Sequence, residues 1–256
     1  MKKAEQNITT FNSDVDEAGQ YLYTTDRLSA KLATYRQSLE IVRLIKTYVG
    51  TGKRILDIGS GDGTYTFELF NITHPKLIIG FDPADKAVKL AQRNVPAASR
   101  NKIVFRTLSI YEIAKHFTPS QFDVAVTRGV LHHLDDAPAA IREISRIANQ
   151  VIILEPNGYN PILKVIEKSS AYHRKHDEKS YWPPTLLHWF EQQGYKLVEQ
   201  KFVCIVPYFC PPPLASFLNH VQSLFESIPI IHKYYTGTNI FFMRKEFPRK
   251  STTLAF

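Results

Sequence analysis

The sequence predicts an α/β fold in which a doubly wound, mostly parallel sheet carries helices on both faces. Short apolar runs alternate with helix-period patterns between residues 53 and 155, which is how a parallel sheet buried between helical layers is written. The first of these runs ends in a glycine-rich loop that opens a helix, the usual place for a ligand in such sheets. A chain of 256 residues with 44% hydrophobic composition is also long enough for one continuous core.

The candidate strands are Arg54 to Ile58, Leu77 to Phe81, Ile103 to Thr107, Phe122 to Thr127 and Val151 to Leu154, all brief and rich in β-branched residues. Between them, Ala84, Ala87, Val88, Ala91 and Val95 form one helical stripe, and Ile141, Ile144, Ile147 and Ala148 another. Pro83 and Pro138 fit first-turn positions. Upstream, residues 21 to 49 have helical spacing, whereas residues 1 to 20 read as a mobile segment. Downstream, Pro183-Pro184 opens a helix closed by Gly194, Tyr195 to Val206 reads as a strand and Thr238 to Arg244 as the last one. After Pro211-Pro212-Pro213, the residues Leu214, Phe217, Leu218, Val221, Leu224, Phe225 and Ile228 trace an apolar helical face. That face reads as core or as a lid; a membrane or partner surface is the sharper alternative, weakened because the opposite face (Asn219, His220, Gln222, Ser223 and Glu226) is not basic enough for anionic lipid.

The formal net charge is +8, but basic residues alternate with acidic ones, which describes a solvated surface better than a nucleic-acid footprint. Cys204 and Cys210 have neither metal nor disulfide spacing and read as reduced thiols. No apolar run follows Lys2 and Lys3, and no stretch is long enough to cross a bilayer, so a cytoplasmic location is expected.

The most informative stretch is Ile55-Leu56-Asp57-Ile58-Gly59-Ser60-Gly61-Asp62-Gly63. A dinucleotide fingerprint spaces its glycines G-x-G-x-x-G, with a pyrophosphate on the helix N-terminus; here the spacing is G-x-G-x-G and Thr64 takes the last position. Asp57 would repel a pyrophosphate and suits a ligand with an ammonium group. Asp82, at the end of the second strand, stands where such folds hold ribose hydroxyls, although Asp82-Pro83 also reads as a helix cap. The chemistry points to a cationic, phosphate-free nucleoside.

Together, ILDIGSGDGTYT, the GFDP turn and FDVAVTRGVLHHLDD resemble the successive motifs of the class I S-adenosylmethionine-dependent methyltransferases, over roughly Tyr48 to Pro156. The resemblance implies a Rossmann-like sheet of seven strands, the last antiparallel, and S-adenosylmethionine as cofactor. It places Asp57, Gly59, Ser60 and Gly61 around the methionine and ribose, Asp82 and Pro83 at the ribose, and Thr127 and Arg128 along the methionine side. Where the family often carries an Asp for the adenine amino group, this chain has Ser109, with Ile110 to pack on the ring. The implied organisation is one methyltransferase domain over 21–256, its cofactor half at 48–156 and an acceptor-side cap with the C-terminal strands at 157–246.

Methyl transfer needs positioning and, for a hydroxyl or ammonium acceptor, a base. His132 and His133 lie at the carboxyl edge of the sheet; His133 is favoured as base, with His132 packed or hydrogen-bonded behind it, beside a purely structural reading of both. Glu155 and Asn157 read as loop caps or, alternatively, as acceptor ligands. Arg36 is a candidate partner for the methionine carboxylate, and equally a packed surface arginine. Tyr21 to Tyr23 and Tyr35 are placed over the cofactor side. The run Tyr172 to Glu178, with Tyr181-Trp182-Pro183-Pro184, is expected to cap the acceptor pocket rather than to bind metal. A small-molecule acceptor, with oxygen preferred, follows as the expected partner, and the chain is compatible with a homo-oligomer. An RNA methyltransferase and a cofactor-binding scaffold without turnover are the rivals. DNA adenine methylation is not expected, since Arg128-Gly129-Val130-Leu131 stands where its tetrapeptide belongs.

Overall fold

A computed structural model describes residues 8–10, 12–13, 26–169 and 180–246. Tyr21 to Tyr23, most of the segment expected to be mobile and the run Tyr172 to Glu178 lie outside the described residues. In chain order the principal elements are α1 (Leu28–Leu44), β1 (Arg54–Ile58), α2 (Thr64–Thr73), β2 (Leu77–Asp82), α3 (Asp85–Asn94), β3 (Ile103–Thr107) and β4 (Val124–Arg128). They continue with α4 (Ala137–Ile147), β5 (Gln150–Pro156), α5 (Pro161–Ser169), α6 (Pro183–Glu191), β6 (Tyr195–Val203), α7 (Pro212–Ser227), α8 (Pro229–Tyr235) and β7 (Thr238–Lys245).

The sheet has seven strands in the order β3-β2-β1-β4-β5-β7-β6. β1 to β5 pair in parallel, and β7 runs antiparallel to both β5 and β6. Alternate strand residues feed two apolar layers. Ile55, Val124 and Ile152 pack with α1, α2 and α3 through Ile41, Leu69 and Val88. Leu56, Ala125 and Ile153 pack with α4 and α6 through Ile144 and Phe190.

Local chemistry explains where the boundaries fall. Asp136 caps α4 by accepting from Ala139 N–H at 2.9 Å, with Pro138 in the first turn as expected. Pro83 is different: α3 starts at Asp85 with Ala84 as its N-cap, so Pro83 precedes the helix. Phe122 makes only an isolated bridge to Ala148, which puts the start of β4 at Val124. β6 stops at Val203 because Cys204 takes a left-handed conformation (φ 70°) that turns the chain out of the sheet.

The apolar stripe after Pro213 is only partly core: Leu218 packs against the core, and Val221 and Phe225 are half-buried. Leu214, Phe217 and Leu224 are 46%, 61% and 63% exposed, while the buried residues of α7 are Ala215 and Gln222. The reason is polar. The bend at Cys204 leaves backbone donors that need acceptors; Glu226 takes Cys204 N–H at 2.8 Å and Gln222 takes Ile205 N–H at 3.4 Å. Glu226 also receives Arg36 Nε at 3.1 Å. These bonds turn Gln222 and Glu226 inward and leave Leu214, Phe217 and Leu224 exposed, while Leu218 packs half-buried against the core and Asn219, His220 and Ser223 stay in solvent.

Candidate functional site

The glycine loop leaves the carboxyl end of β1 and satisfies itself. Gly59 and Ser60 N–H both donate to Phe81 O, at 2.9 and 3.0 Å, Gly61 N–H to Asp82 Oδ2 at 3.0 Å, Gly63 N–H to Ser60 O at 2.9 Å and Thr64 N–H to Asp62 Oδ1 at 3.0 Å. A phosphate-binding loop keeps such donors for its anion; these are engaged within the protein, as a phosphate-free ligand requires. Gly59 has φ 76°, and a Cβ there would stand 2.4 Å from Val130 Cγ2. Glycine at 59 therefore lets the segment after β4 close against the loop, as much as it admits a ligand.

Two buried carboxylates flank the loop. Asp82 is fixed at the end of β2, accepting from Gly61 N–H and, through Oδ1, from Ala84 N–H at 2.9 Å. Its two oxygens thus hold the turn that leads into α3 and fasten the glycine loop at the same time. Asp57 accepts from the Thr66 hydroxyl of α2. Burial pushes Asp57 up to about 6, against the opposing pull of the Thr66 hydrogen bond and the Arg128 charge. A cation beside it would favour the ionised form. Ser60 Oγ and Thr127 Oγ1 are buried with no hydrogen-bond partner in the structure. Orphaned polar atoms next to paired carboxylates suit a ligand with hydroxyl and ammonium groups, so the residues present fit S-adenosylmethionine.

Arg128 ends β4 and lies in a polar cage. Nη1 donates to Ser38 Oγ at 3.0 Å, Nη2 donates to Thr34 O at 2.7 Å, and the guanidinium stacks 3.8 Å from the Tyr65 ring centroid. Glu68 stands 4.0 Å away. A cleft of about 390 Å³ lined by Lys31, Leu32, Thr34, Tyr35 and Glu68 opens against this cage. Arg36, the other arginine weighed for a carboxylate, is instead paired with Glu226 and Glu40, which removes it from the cofactor side.

After β4 the chain forms a single turn, Leu131–His133. Glu155 at the end of β5 is fully buried and organises this turn. Its Oε1 accepts from Val130 N–H at 3.0 Å and Leu131 N–H at 2.8 Å; its Oε2 accepts from His132 N–H at 3.2 Å and lies 2.8 Å from His132 Nδ1. Because a carboxylate only accepts, His132 carries its proton on Nδ1. The His133 ring rests on the His132 ring with centroids 4.0 Å apart, and His133 is the less buried of the two. Asn157 is turned away, donating to Lys233 O and Thr236 O at 2.9 and 3.0 Å. Ser109 accepts from Tyr111 N–H at 3.3 Å, opening the short turn that buries Ile110.

The structure thus gathers Asp57, Gly59, Ser60, Gly61, Asp82, Thr127 and Arg128 at the carboxyl ends of β1, β2 and β4, with His132 and His133 beside them. Ser109 and Ile110 follow β3 at the outer end of the sheet. Sequence reading missed Thr34, Ser38, Tyr65 and Thr66, which hold Arg128 and Asp57. Thr66 sits at helical spacing after the loop and was the one residue a local pattern could have found.

This is the cofactor half of a methyltransferase fold. A methyltransferase-domain family matches residues 50–199, and the chain belongs to that family, within the class I S-adenosylmethionine-dependent enzymes. An uncharacterized methyltransferase of Schizosaccharomyces pombe is 33% identical over 118 residues, 44% of this chain and 40% of that protein. A tRNA U34 carboxymethyltransferase of Campylobacter hominis is 29% identical over 114 residues, 44% of this chain and 39% of that protein. The chain thus spans about two-fifths of the length of these curated relatives. Among solved structures, magnesium protoporphyrin IX methyltransferase from Synechocystis with bound S-adenosylmethionine superposes with a TM-score of 0.64 at 14% identity, covering 96% of this chain and 98% of that one.

Proposed function

We propose that this protein methylates a hydroxyl group of a small-molecule acceptor. The observation that carries the reading is the turn Leu131–His133, which Glu155 pins at four points and which follows directly on the Val130 side chain seated against Gly59. A histidine pair is thereby held beside the loop that takes the cofactor. S-adenosylmethionine, when bound, supplies an electrophilic methyl group on a sulfonium.

The chain's own residues do the rest. Asp57 meets the positive end of the cofactor, Asp82 its ribose hydroxyls and Arg128 its carboxylate. Ser60 and Thr127 offer hydroxyls to the same ligand, and Pro83 shapes the turn beneath the ribose. Ser109 and Ile110 serve the adenine. His133 takes the acceptor proton at a ring nitrogen. His132, held by Glu155, fixes the His133 ring from behind as a positioning residue.

An RNA acceptor is the second reading, favoured by the tRNA-modifying relative and by the net charge of +8. Incubating the protein with methyl-labelled cofactor and a cell extract, then separating RNA, protein, lipid and small molecules, distinguishes the two. Label among small molecules or lipids supports the proposal, label in RNA replaces it with the second reading, and label in no fraction leaves a binding scaffold. Replacing His133 with alanine is expected to lower turnover about 10²-fold or more, with little effect on cofactor affinity; equal turnover removes it as the base.

A further inference from the structure

We infer that the outward face of α7 and α8 is a membrane-contact surface that seats the protein on a lipid bilayer. β6 ends, and β7 begins, at the carboxyl edge of the sheet, so the helices joining them lie at that edge, where the acceptor enters on the proposed function. Large apolar side chains on this rim are exposed. Besides the exposed side chains of α7, Ile230 of α8 is 68% exposed, and Val165 of the neighbouring α5 is 65% exposed. Exposed apolar side chains on three successively touching helices, α7, α8 and α5, are the kind of surface that marks a binding site.

Its chemistry fits a bilayer. The aromatic set Trp182, Tyr159 and Tyr234, linked by ring contacts of 5.7 and 5.8 Å, borders the patch as tryptophan and tyrosine border membrane interfaces. Through residues 157–169 and 205–236 the carboxylates are Glu167 and Glu226, and both are neutralised from within the protein. Glu167 accepts from Ser180 N–H at 2.9 Å and Lys164 Nζ at 3.3 Å, and Glu226 holds Arg36 and Cys204 N–H. Among the described residues of these two segments, no uncompensated carboxylate remains. The cations that α7 lacks come from its neighbours in space. Arg27 shares a cleft of about 320 Å³ with Leu28, Phe209 and Pro212 at the start of α7, and Lys233 lies over the Tyr159 and Tyr234 rings at 4.9 and 5.3 Å. The lack of basic residues on the polar side of α7, which argued against lipid, loses its force because part of that side, Gln222 and Glu226, faces the protein. A bilayer also covers a patch that wraps three helices while leaving the acceptor mouth fluid.

The test is flotation of the full chain with vesicles of phosphatidylcholine containing one-third phosphatidylglycerol, comparing wild type with Phe217→Ser/Leu224→Ser/Ile230→Ser, three exposed sites whose change leaves the core intact. Wild type is expected to float and the triple variant to lose about tenfold or more of its vesicle partitioning, with unchanged melting temperature and cofactor affinity. Wild type remaining with the soluble fraction would overturn the inference, as would equal flotation of the variant. So would sedimentation velocity showing a wild-type dimer that the triple variant splits, which would give the face to a second copy. Flotation needs no turnover, so its outcome is independent of the acceptor assignment.

Discussion

Glu155 Oε2 lies 2.8 Å from Nδ1 of His132, and the same carboxylate gathers the backbone N–H groups of Val130, Leu131 and His132. One buried side chain thereby fixes both the turn after β4 and the tautomer of a histidine in it. Glu155→Gln replaces an oxygen that only accepts with an NH2 group facing donors. The account predicts a loss of about 1–3 kcal/mol of stability, read by urea denaturation, and a fall in turnover in whatever protein remains folded. A change below about 1 kcal/mol would show that this carboxylate does not organise the turn.

Asp57 makes two opposite pH predictions. Burial raises its pKa to about 6, against Thr66 and Arg128, so the cofactor-free folded state holds this proton more tightly than the unfolded chain. Stability contributed by Asp57 therefore increases as pH falls from about 6 towards 4, by roughly 3 kcal/mol in all. Cofactor affinity moves the other way, because the cation needs the ionised form; it declines by up to about tenfold per pH unit below 6. Calorimetric titrations between pH 5 and pH 8 check this, with Asp57→Asn expected to bind weakly at every pH and to show no such slope.

Arg128 is assigned to the carboxylate of the cofactor, and truncated ligands test it. Arg128→Lys keeps the charge but loses the planar fork and the stacking on Tyr65. Affinity for S-adenosylmethionine is expected to fall about tenfold or more, while affinity for methylthioadenosine, which lacks the amino-acid end, stays the same. Parallel losses for both ligands would mean that Arg128 acts only by holding α1 in place.

Acid lability is expected from the far side of α1. Glu40 is buried there among Arg43, Lys201 at 3.1 Å and Arg36 at 3.6 Å. Burial opposes its ionisation, but the hydrogen bonds and charges of Arg43 and Lys201 outweigh it and lower the pKa. Its contribution is thus fully present above the ordinary glutamate range, about 4.3, and lost as pH falls below it. Denaturation midpoints measured from pH 6 to pH 3 should fall more steeply in wild type than in Glu40→Gln.

Much of this architecture was legible because the determinants are local. The strand-to-glycine bend with Asp57, the Asp82-Pro83 turn at the end of the second strand and the first-turn Pro138 are each written in a few consecutive residues. What stayed hidden depends on distant pairing. Arg128 finds Thr34 and Ser38 across 94 and 90 positions, and Arg36 is claimed by Glu226 from 190 positions away. The apolar spacing of α7 was read correctly as a helix, yet its rotation is set by the backbone donors of Cys204 and Ile205, which no helical pattern records.

The most direct test of the central claim is isothermal titration of S-adenosylmethionine into wild type and Asp82→Ala. If the self-satisfied glycine loop and its flanking carboxylates form the cofactor site, wild type binds and the variant binds at least tenfold more weakly while remaining folded. Equal affinity in the two proteins, or no binding by wild type, would contradict it.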